Sequence, residues 1–555
     1  MKLFNKEAID PLKKKELRKD WLYLVLSGIL LGISFPPSPF PYFLFAALIP
    51  FLIVINKRET LAEINRAMYL TAFIFSLTTI YWVGGFVVAK DPFLMISGFL
   101  LLFANPAVFL ITSTLYYFAV KVFSRRVALF LFPFFWVTYE YAYMITDWSF
   151  PWITLGNGLS KFTLFIQIAD LIGVLGLSLI LVFINVLIYS LLFQNSERKI
   201  FRSISFAILL TLLLVPIVYG FFKLSESESE HKVVKVGLIQ PDLDPYDKWS
   251  GGSIDGIVNE YLHLSDDAIV KGAEILFWPE TALPVYLMSG SYSIAVDSIR
   301  AYLQRNDIPL LTGMPHIKFF GTKEEGPFDV KKAKESEMYY ATYNSVLFLN
   351  PKSYDVGHYG KMKLVPFGER TPFVSHFPFL ADLIKWGVGL SGWNVGQDTI
   401  VFSYPMKQIQ DTLKVNGLIC YESVYPDFVA EFCKRGTQLI SVVTNDSWYG
   451  NTSGPYQHKE IAILRAVENR RYVVRAANGG ISCIIDYFGR THETSKMYEK
   501  AVVVGDVRLN NEITFFSKYP NLISKISVVI AVWIFGLFIL KKVNTPRKKT
   551  EKFES

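Results

Sequence analysis

Three short segments carry the side chains in this sequence that could do covalent chemistry. Glu280 directly follows the apolar run 275–279, and a carboxylate just past a buried strand is partly desolvated, which raises its pKa towards that of a useful general base. Lys361 could stabilise an oxyanion. Cys420 ends a predicted strand and precedes a predicted helix, whose N-terminus favours the thiolate. Together they could supply a base, an electrophilic stabiliser and a nucleophile.

Each of these residues also has an ordinary structural interpretation. Glu280 could be a carboxylate at a helix start, Lys361 a solvated surface lysine, and Cys420 a small buried core residue. Lys363 is a nearby rival to Lys361 for the cationic role. The combination of the three residue types, more than any one of them, favours an active site.

Other common catalytic motifs are missing from the sequence. There is no G-x-S-x-G, H-E-x-x-H or Walker pattern, and the G-x-G-x-x-G at 387–392 follows a helix-like stretch where a dinucleotide site needs a strand. Seven histidines are scattered without ligand spacing, so no metal site is expected, and Cys433 and Cys483 are interpreted as core thiols.

The composition indicates a membrane protein. Of 555 residues, 52% are hydrophobic, 16% aromatic and only 19% charged, and the mean hydropathy is +0.32, whereas soluble globular chains carry about 25% charged residues. Three cysteines exclude a disulfide scaffold. The net charge of +8 comes largely from basic runs beside apolar stretches, which is typical of membrane orientation signals and not of a nucleic-acid partner.

The apolar runs predict about eight membrane helices. They lie near 21–35, 40–55, 67–89, 92–120, 127–146, 164–194, 201–222 and 521–541. The first two are shorter than the roughly 20 residues that a span needs and are separated by prolines, so they form either two short spans or one re-entrant hairpin. Residues 1–20 carry seven Lys/Arg, and basic residues follow alternate runs, which places both termini in the cytoplasm.

These runs divide the chain into four parts. Residues 1–223 are predicted to form a transmembrane domain of seven spans and 224–520 an extracytoplasmic α/β domain. A C-terminal span at 521–541 precedes a basic cytoplasmic tail at 542–555. In the α/β domain, short β-branched runs alternate with helical segments, and the charged stretch 316–340 is interpreted as a surface insertion.

Three other features could bear on the site. Glu140 and Asp170 lie near apolar helices, where a carboxylate is either solvated near a helix end or faces a substrate. The segment Thr444–Trp448 follows a strand expected beside that of Cys420, so it is expected to line the pocket.

Several segments resemble a known superfamily. Trp278–Glu280, Tyr359–Lys361 and Leu418–Glu422 are similar to the Glu-Lys-Cys segments of the nitrilase, or carbon–nitrogen hydrolase, superfamily. Within it, strings along nearly the whole chain resemble the apolipoprotein N-acyltransferase family, namely Ser34–Pro37, Phe150–Trp152, Gln167–Ser178, Leu364–Glu369 and Cys420–Glu422. The charged insertion at 316–340 departs from the family pattern.

The resemblance implies a fold and a set of roles. The fold would be a four-layer αββα nitrilase-like sandwich on a multi-span α-helical membrane domain of about eight helices. Glu280 would be the general base, Lys361 the oxyanion stabiliser and Cys420 the nucleophile. Supporting roles would fall to Trp249, Glu369, Tyr421 and Glu422, and no cofactor would be needed.

The activity implied is two-step acyl transfer in a bacterial inner membrane. A phospholipid, expected to be phosphatidylethanolamine, would acylate Cys420, and the thioester would pass to the amino group of a diacylglyceryl-cysteine on an apolipoprotein. The catalytic domain would be periplasmic and the protein a monomer. A membrane-tethered amidase or nitrilase and a transporter with a binding-only outer domain are the alternatives, although the near absence of mid-span charges argues against transport.

The stretch 373–393 contains more large apolar residues than a solvated loop needs. One interpretation is a helix packed on the domain core. The other is a membrane lid that admits acyl chains, with Phe379 and Leu383 in the lipid and Trp386 and Trp393 at the headgroup level.

Overall fold

The computed structural model describes residues 11–85, 87, 92–194, 199–226, 231–249, 253–333, 336–374, 377 and 392–544. The N-terminal part is helical. Its helices are α1 (Pro11–Gly32), α2 (Ile49–Ile55), α3 (Leu61–Ile80), α4 (Pro92–Val108), α5 (Leu110–Val122), α6 (Arg125–Met144), α7 (Thr163–Ile166), α8 (Ala169–Phe193) and α9 (Lys199–Leu224), and α16 (Leu522–Asn544) comes last in the chain.

Within the described residues, six helices are long and apolar enough to cross a membrane. They are Leu61–Gly84, Leu94–Val122, Arg125–Met144, Ala169–Phe193, Lys199–Leu224 and Leu522–Asn544, and they correspond to the last six predicted runs. Residues 21–32 of the first run lie in α1, whose first half is charged, and the second run contains α2. The seven residues of α2 rise only about 10 Å, so α2 does not cross a hydrocarbon layer alone.

The block between α9 and α16 is an α/β sandwich. Its strands are β1 (Val233–Gln240), β2 (Ile275–Trp278), β3 (Leu310–Phe320), β4 (Lys331–Lys332), β5 (Tyr339–Leu349), β6 (Val356–Gly360), β7 (Val401–Met406), β8 (Asp411–Asn416), β9 (Leu418–Ile419), β10 (Leu439–Thr444), β11 (Tyr472–Ala477), β12 (Cys483–Ile485), β13 (Thr491–Thr494) and β14 (Ala501–Arg508). Its helices are α10 (Pro245–Trp249), α11 (Ile254–Val270), α12 (Ser293–Asn306), α13 (Pro426–Lys434), α14 (Ser453–Asn469) and α15 (Phe515–Lys518).

Two seven-stranded sheets form the centre of this sandwich. The first has the order β14-β1-β2-β3-β5-β4 with β6 beside β5, and the second has the order β13-β12-β11-β10-β8-β7 with β9 beside β10. Helix α11 packs on the first sheet and α14 on the second, while β1 contacts β11 and β3 contacts β10 between the sheets. The predicted four-layer αββα arrangement is therefore confirmed.

Parallel pairing brings several strand ends to one side of the sandwich. Strand β2 runs parallel to β3, with Leu276 opposite Leu310, and β10 runs parallel to β9, with Val442 opposite Leu418. Buried strands such as β2 and β10 are apolar along their whole length, as expected for strands covered on both faces. The loops that leave β2, β9 and β10 are therefore placed close together.

The charged insertion forms an extended hairpin. Strands β3 and β5 pair antiparallel along their full length, and the insertion returns to contact the segment after Lys361. Asp329 forms an ion pair with Arg370 at 2.7 Å and accepts a hydrogen bond from Asn394 Nδ2 at 2.8 Å. The insertion therefore holds the chain on both sides of 375–391.

One glutamine joins the sandwich to the membrane helices. Gln457 on α14 is buried, and its Nε2 donates to the carbonyl oxygens of Pro36 and Thr79 at 3.0 and 2.9 Å. Its Oε1 accepts from the indole nitrogens of Trp82 and Trp152 at 3.0 and 2.8 Å. All of the hydrogen-bonding capacity of this amide is thus used between the two domains.

Two membrane-domain carboxylates are structural. Asp170 is 4% exposed and pairs with Arg470 of the sandwich at 2.8 Å. Glu140 is 2% exposed and accepts from Trp136 Nε1 at 3.0 Å and from the backbone nitrogen of Leu155 at 2.8 Å. Neither one is solvated or among the cavity-lining residues described below, so both of the roles considered from the sequence are wrong.

We expect Gln457→Leu to destabilise the junction between the domains. The substitution leaves two indole N–H groups and two carbonyl oxygens buried without partners, at about 1–3 kcal/mol each, so a loss on the order of 4 kcal/mol or more is expected. Thermal unfolding of the purified protein in detergent measures it. Gln397→Leu, at an exposed glutamine, is the matched control and should change stability by less than about 0.5 kcal/mol. Equal melting temperatures for the two variants would contradict this role of Gln457.

Candidate active site

The structure brings Glu280, Lys361 and Cys420 to one cavity from three different strand ends. Glu280 follows β2, Lys361 follows β6, and Cys420 follows β9. All three line the same cavity, and the Nζ of Lys361 lies 3.4 Å from Oε1 of Glu280. Glu280 is 7% exposed and Lys361 only 1%. A carboxylate, an ammonium and a thiol therefore meet where water is largely excluded.

Glu280 is held from several sides. Its Oε1 accepts from Asn344 Nδ2 at 2.7 Å, and its Oε2 accepts from the backbone nitrogen of Asn445 at 3.0 Å. Burial raises the pKa of Glu280, and the ammonium of Lys361 opposes that rise. Strand β3 passes so close that a methyl group on Gly313 would lie 2.5 Å from the Cα of Glu280, so only glycine fits there. The carboxylate is fixed in place and suited to accept a proton.

Lys361 is a charged group with two carboxylate partners. Its Nζ donates to Oε1 of Glu369 at 2.8 Å, closer than its approach to Glu280. Burial alone would lower the pKa of Lys361, but the charges of Glu369 and Glu280 outweigh it and hold the pKa above its usual value. Glu369 also accepts from Asn344 and from the backbone nitrogen of Val365, at 2.9 and 2.8 Å. Lys361 is therefore an ammonium at every physiological pH.

The rival lysine points elsewhere. The Nζ of Lys363 lies over the rings of Tyr425 and Phe428, at 5.1 and 5.9 Å from their centroids. Only its backbone nitrogen approaches the site region, donating to Glu422 at 3.2 Å. Of the two lysines, the structure brings only Lys361 to Glu280.

Cys420 begins a five-residue 3-10 helix, Cys420–Val424, with φ at +49°. Burial raises the pKa of its thiol, the charge of Glu280 raises it further, and Lys361 opposes the rise without cancelling it. The thiolate expected from the helix N-terminus is therefore wrong for the resting site. One short 3-10 turn supplies too small a dipole to offset desolvation and a neighbouring carboxylate. The thiol is neutral and needs a base to become a nucleophile.

Glu422 links the Lys361 segment to the Cys420 strand. It is fully buried, and its Oε1 accepts from Tyr359 Oη at 2.6 Å and from the backbone nitrogen of Met362 at 2.7 Å. Its Oε2 accepts from the backbone nitrogen of Ile419 at 2.9 Å. Burial raises the pKa of Glu422 to about 7. This carboxylate holds two reacting segments together without lining the cavity.

Tyr421 points towards the membrane domain. Its hydroxyl donates to the carbonyl oxygen of Ser149 at 2.7 Å, and its ring stacks on Phe150. The residue after the candidate nucleophile is therefore anchored to the loop between α6 and α7.

Trp249 is not brought to the three central residues. It is half-buried at the end of α10, its indole nitrogen has no hydrogen-bond partner among the described residues, and it is not among the cavity-lining side chains. Tyr246 of the same helix lines the cavity instead, and Lys248 donates to the carbonyl oxygen of Thr281 at 2.7 Å. Burial lowers the pKa of Lys248 to about 8.

The cavity has a volume of about 510 Å³ and two unlike ends. Its polar end holds the three central residues together with Asn344, Glu369 and Asn445. The rest is mainly apolar, and helix α4 supplies a run of lining residues, namely Leu94, Ile96, Ser97, Leu100, Leu101, Ala104 and Val108. The reacting groups thus lie at one end of a cavity walled by a membrane helix.

The predicted lid falls mostly outside the described residues, since Phe379, Leu383 and Trp386 all lie within 378–391. Trp393 is described, and it is 5% exposed and lines the cavity. The chain bonds through Asn394 to β5, and the ring of Trp393 faces the cavity; its level relative to the headgroups stays a prediction.

Sequence reasoning missed several residues of this site. Asn344 bonds to both Glu280 and Glu369 but lies in the middle of β5, where no motif marks it. His458 and Asp446 lie close to Cys420, and one ligand atom from each of the three lies within 4.8 Å of the others. Asp446 already forms an ion pair with Arg475, and that neighbouring cation disfavours a metal ion.

The expectation that Thr444–Trp448 lines the pocket is met by Asn445 and Trp448.

Comparison with known proteins identifies relatives along the chain. Residues 27–187 match the family described as Apolipoprotein N-acyltransferase N-terminal domain, and residues 235–514 match Carbon-nitrogen hydrolase. The apolipoprotein N-acyltransferase of Chlorobaculum tepidum is 34% identical, over 93% of this chain and 96% of its own. That of Geobacter metallireducens is 30% identical, over 95% and 96%. Among solved structures, an amidase from Nesterenkonia sp. is 17% identical with a TM-score of 0.35, over 50% of this chain and 91% of its own.

Proposed function

This chain belongs to the apolipoprotein N-acyltransferase family, and on that premise we propose that it moves an acyl chain from a membrane phospholipid to an apolipoprotein through a thioester on Cys420. The acceptor is the N-terminal amino group of a diacylglyceryl-cysteine. Glu280 is the general base, and Lys361 stabilises the oxyanion. Glu369, Tyr421 and Glu422 are supporting residues.

The observation that carries the proposal is the two-ended cavity. Cys420, Glu280 and Lys361 lie at its polar end, and the apolar side chains of α4 form much of the remaining wall. An acyl chain is apolar along its length and carries its only reactive carbon at one end. A cavity of this kind can therefore hold the chain against the membrane helix and present the ester carbonyl to the thiol.

In the first step, Glu280 takes the proton from the Cys420 thiol as Sγ attacks the ester carbon. The carbonyl oxygen becomes an oxyanion, which the ammonium of Lys361 stabilises in a site with little water. When the tetrahedral intermediate collapses, the C–O bond breaks and the leaving alkoxide takes the proton from Glu280. A lysophospholipid departs, and the acyl group remains on Sγ.

In the second step, the amino group of the acceptor attacks the thioester carbon. Glu280 takes a proton from the attacking nitrogen, and Lys361 again stabilises the oxyanion. The C–S bond then breaks, an amide forms, and the proton on Glu280 returns to Sγ. No cofactor enters either step, because the leaving groups of the ester and the thioester provide all that the exchange needs.

A membrane-tethered amidase was the rival from the sequence. Small polar amides would gain nothing from a wall built of Leu100, Leu101 and Val108, whereas an acyl chain would be desolvated by it. The proposal also takes phosphatidylethanolamine as the donor and the single chain as the working unit.

The proposed orientation is that of a bacterial inner-membrane protein with both termini in the cytoplasm. It rests on the basic residues that follow alternate apolar runs. Residues 1–223 and 521–541 then form the membrane part, 224–520 the periplasmic catalytic domain and 542–555 a cytoplasmic tail.

Phospholipid alone should load one acyl group onto Cys420. Intact-protein mass spectrometry after incubation without acceptor should show the added mass, and fragmentation should place it on Cys420. Cys420→Ala and Cys420→Ser should lose both the adduct and the transfer, because a hydroxyl is far less acidic than a thiol. Cys433→Ala, at a buried cysteine outside the cavity, is the control and should keep both. Transfer by Cys420→Ala would move the nucleophile elsewhere.

The two lysines should differ sharply on substitution. Lys361→Met removes the ammonium beside Glu280 and should slow formation of the acyl-enzyme by about 10²-fold, or about 3 kcal/mol. Lys363→Met removes only an ammonium over two aromatic rings and should have a small effect. Single-turnover acylation rates measure both. A larger loss from Lys363→Met than from Lys361→Met would show that the lysine is wrongly assigned.

The orientation can be tested with one introduced cysteine at a time on either side of α9, in a Cys420→Ala background whose remaining cysteines, Cys433 and Cys483, are buried. In intact spheroplasts, a cysteine at Ser229 should react with a membrane-impermeant maleimide, and one at Ser196 should react only after lysis. The opposite pattern would reverse the proposed topology.

A further inference from the structure

One buried histidine contacts the main chain of the candidate nucleophile. His458 lies on α14 and is 2% exposed. Its Nε2 is 3.1 Å from the carbonyl oxygen of Cys420 and 3.0 Å from Oγ of Ser423. The acyl transfer derived above uses none of these contacts.

The backbone at Cys420 needs such support. A cysteine at φ +49° lies in the left-handed region, which is strained for a residue with a side chain and persists only where the surroundings enforce it. The surroundings hold this backbone conformation through the carbonyl oxygen of Cys420. It accepts from Oγ of Ser423 at 2.8 Å as well as facing His458.

The far side of the imidazole is held by an ion pair. Nδ1 lies 3.0 Å from Oδ1 of Asp446 and 3.1 Å from Nη2 of Arg475. Asp446 and Arg475 are themselves paired, at 3% and 0% exposure. Burial alone would raise the pKa of Asp446, but the charges of Arg475 and His458 outweigh it and hold the pKa well below its usual range.

The contact with Cys420 requires a proton on Nε2, because a carbonyl oxygen can only accept. Burial and the charge of Arg475 lower the pKa of His458, and the carboxylate of Asp446 opposes that shift. The hydroxyl of Ser423 already donates to the carbonyl oxygen of Cys420 and cannot donate to Nε2 as well. We therefore place a proton on Nε2, which donates towards Cys420, while Nδ1 lies between Oδ1 of Asp446 and Nη2 of Arg475.

We propose that His458 is a positioning residue for the nucleophile: anchored by Asp446 and Arg475, its Nε2–H holds the Cys420 carbonyl so that Sγ stays beside Glu280. It does not act as the base, since Nε2 is directed at the carbonyl oxygen and at Ser423. The inference rests on the proposed function only in taking Cys420 as the nucleophile.

The turn that contains Asp446 also contacts Glu280, the proposed general base. Asp446 belongs to the segment 444–448, and its neighbour Asn445 donates a backbone N–H to Oε2 of Glu280 at 3.0 Å. Thr444 donates to Oδ1 of Asp446 at 3.1 Å. One short turn after β10 therefore sets the position of Glu280 directly and that of Cys420 through His458.

A matched pair of amides separates positioning from mere packing. In His458→Gln the side-chain nitrogen can reach the place of Nε2, whereas in His458→Asn it reaches only the place of Nδ1. Steady-state N-acylation should show kcat reduced by roughly 10–100-fold in His458→Asn, with KM unchanged and largely restored kcat in His458→Gln. The pH dependence of kcat/KM should keep its shape in both. His316→Asn, at a half-buried histidine outside the cavity, is the control and should match the native protein.

Alkylation of Cys420 by iodoacetamide gives a second readout that needs no acyl transfer. It should slow in His458→Asn and recover in His458→Gln, because the neutral thiol must lie beside Glu280 to lose its proton. Unchanged kcat and alkylation in His458→Asn would overturn the proposal while leaving the acyl transfer intact. Equal loss in both amides with a limb missing from the pH profile would also overturn it, by making His458 a proton carrier. If Cys420→Ala still transferred acyl chains, the proposed function would fail, and the alkylation contrast would still decide the role of His458.

Discussion

The buried charge on Lys361 is the constraint that determines which groups surround it at the polar end of the cavity. An ammonium that is 1% exposed has lost its water, and such a group is stable only when carboxylates and hydrogen bonds replace that water. Glu369 and Glu280 do so at 2.8 and 3.4 Å. The cluster then carries two carboxylates for one ammonium, and the adjacent thiol has a pKa raised by burial and, beyond that, by the charge of Glu280.

This balance suits a site that works beside lipid. A permanently ionised thiol would react with any electrophile that entered, whereas a neutral thiol acts only when a substrate carbonyl is held where Lys361 can stabilise the charge that develops. The two-ended cavity restricts the choice of ligand further, because a ligand without an apolar chain would leave the apolar side chains of α4 without contacts. Charge balance and cavity shape therefore restrict the chemistry together.

The sequence predicted the parts of this site that local pattern determines. Glu280 and Cys420 each follow an apolar run that becomes a strand, so their meeting at strand ends could be expected. Lys361 could be singled out only because the sequence also contains Glu280 and Cys420, which complete the set of residue types that an active site needs. Six apolar runs became long helices because length and composition decide a span, whereas the second run is divided between a 3-10 helix, Pro41–Phe45, and the short α2.

What the sequence could not supply is the environment created by distant contacts. Asn344 meets Glu280 across 64 residues of chain, and His458 meets Cys420 across 38. The expectation of a thiolate failed for the same reason, since burial and the charge of Glu280 cannot be seen from the residues next to Cys420. The insertion at 316–340 was interpreted as a surface feature, and the sequence does not show that it contacts Arg370 and Asn394, which adjoin the cavity-lining Glu369 and Trp393.

Helix α14 carries Gln457 and His458 as neighbours in the chain, and this arrangement bears on the order in which the protein assembles. The four partners of Gln457 lie between residues 36 and 152, so they are synthesised long before the helix that completes them. The polar partners of His458 lie between residues 420 and 475 of the sandwich itself. The two neighbours on α14 therefore depend on different assembly steps: Gln457 is completed only when the sandwich meets the membrane helices, whereas the polar contacts of His458 need only the sandwich to fold.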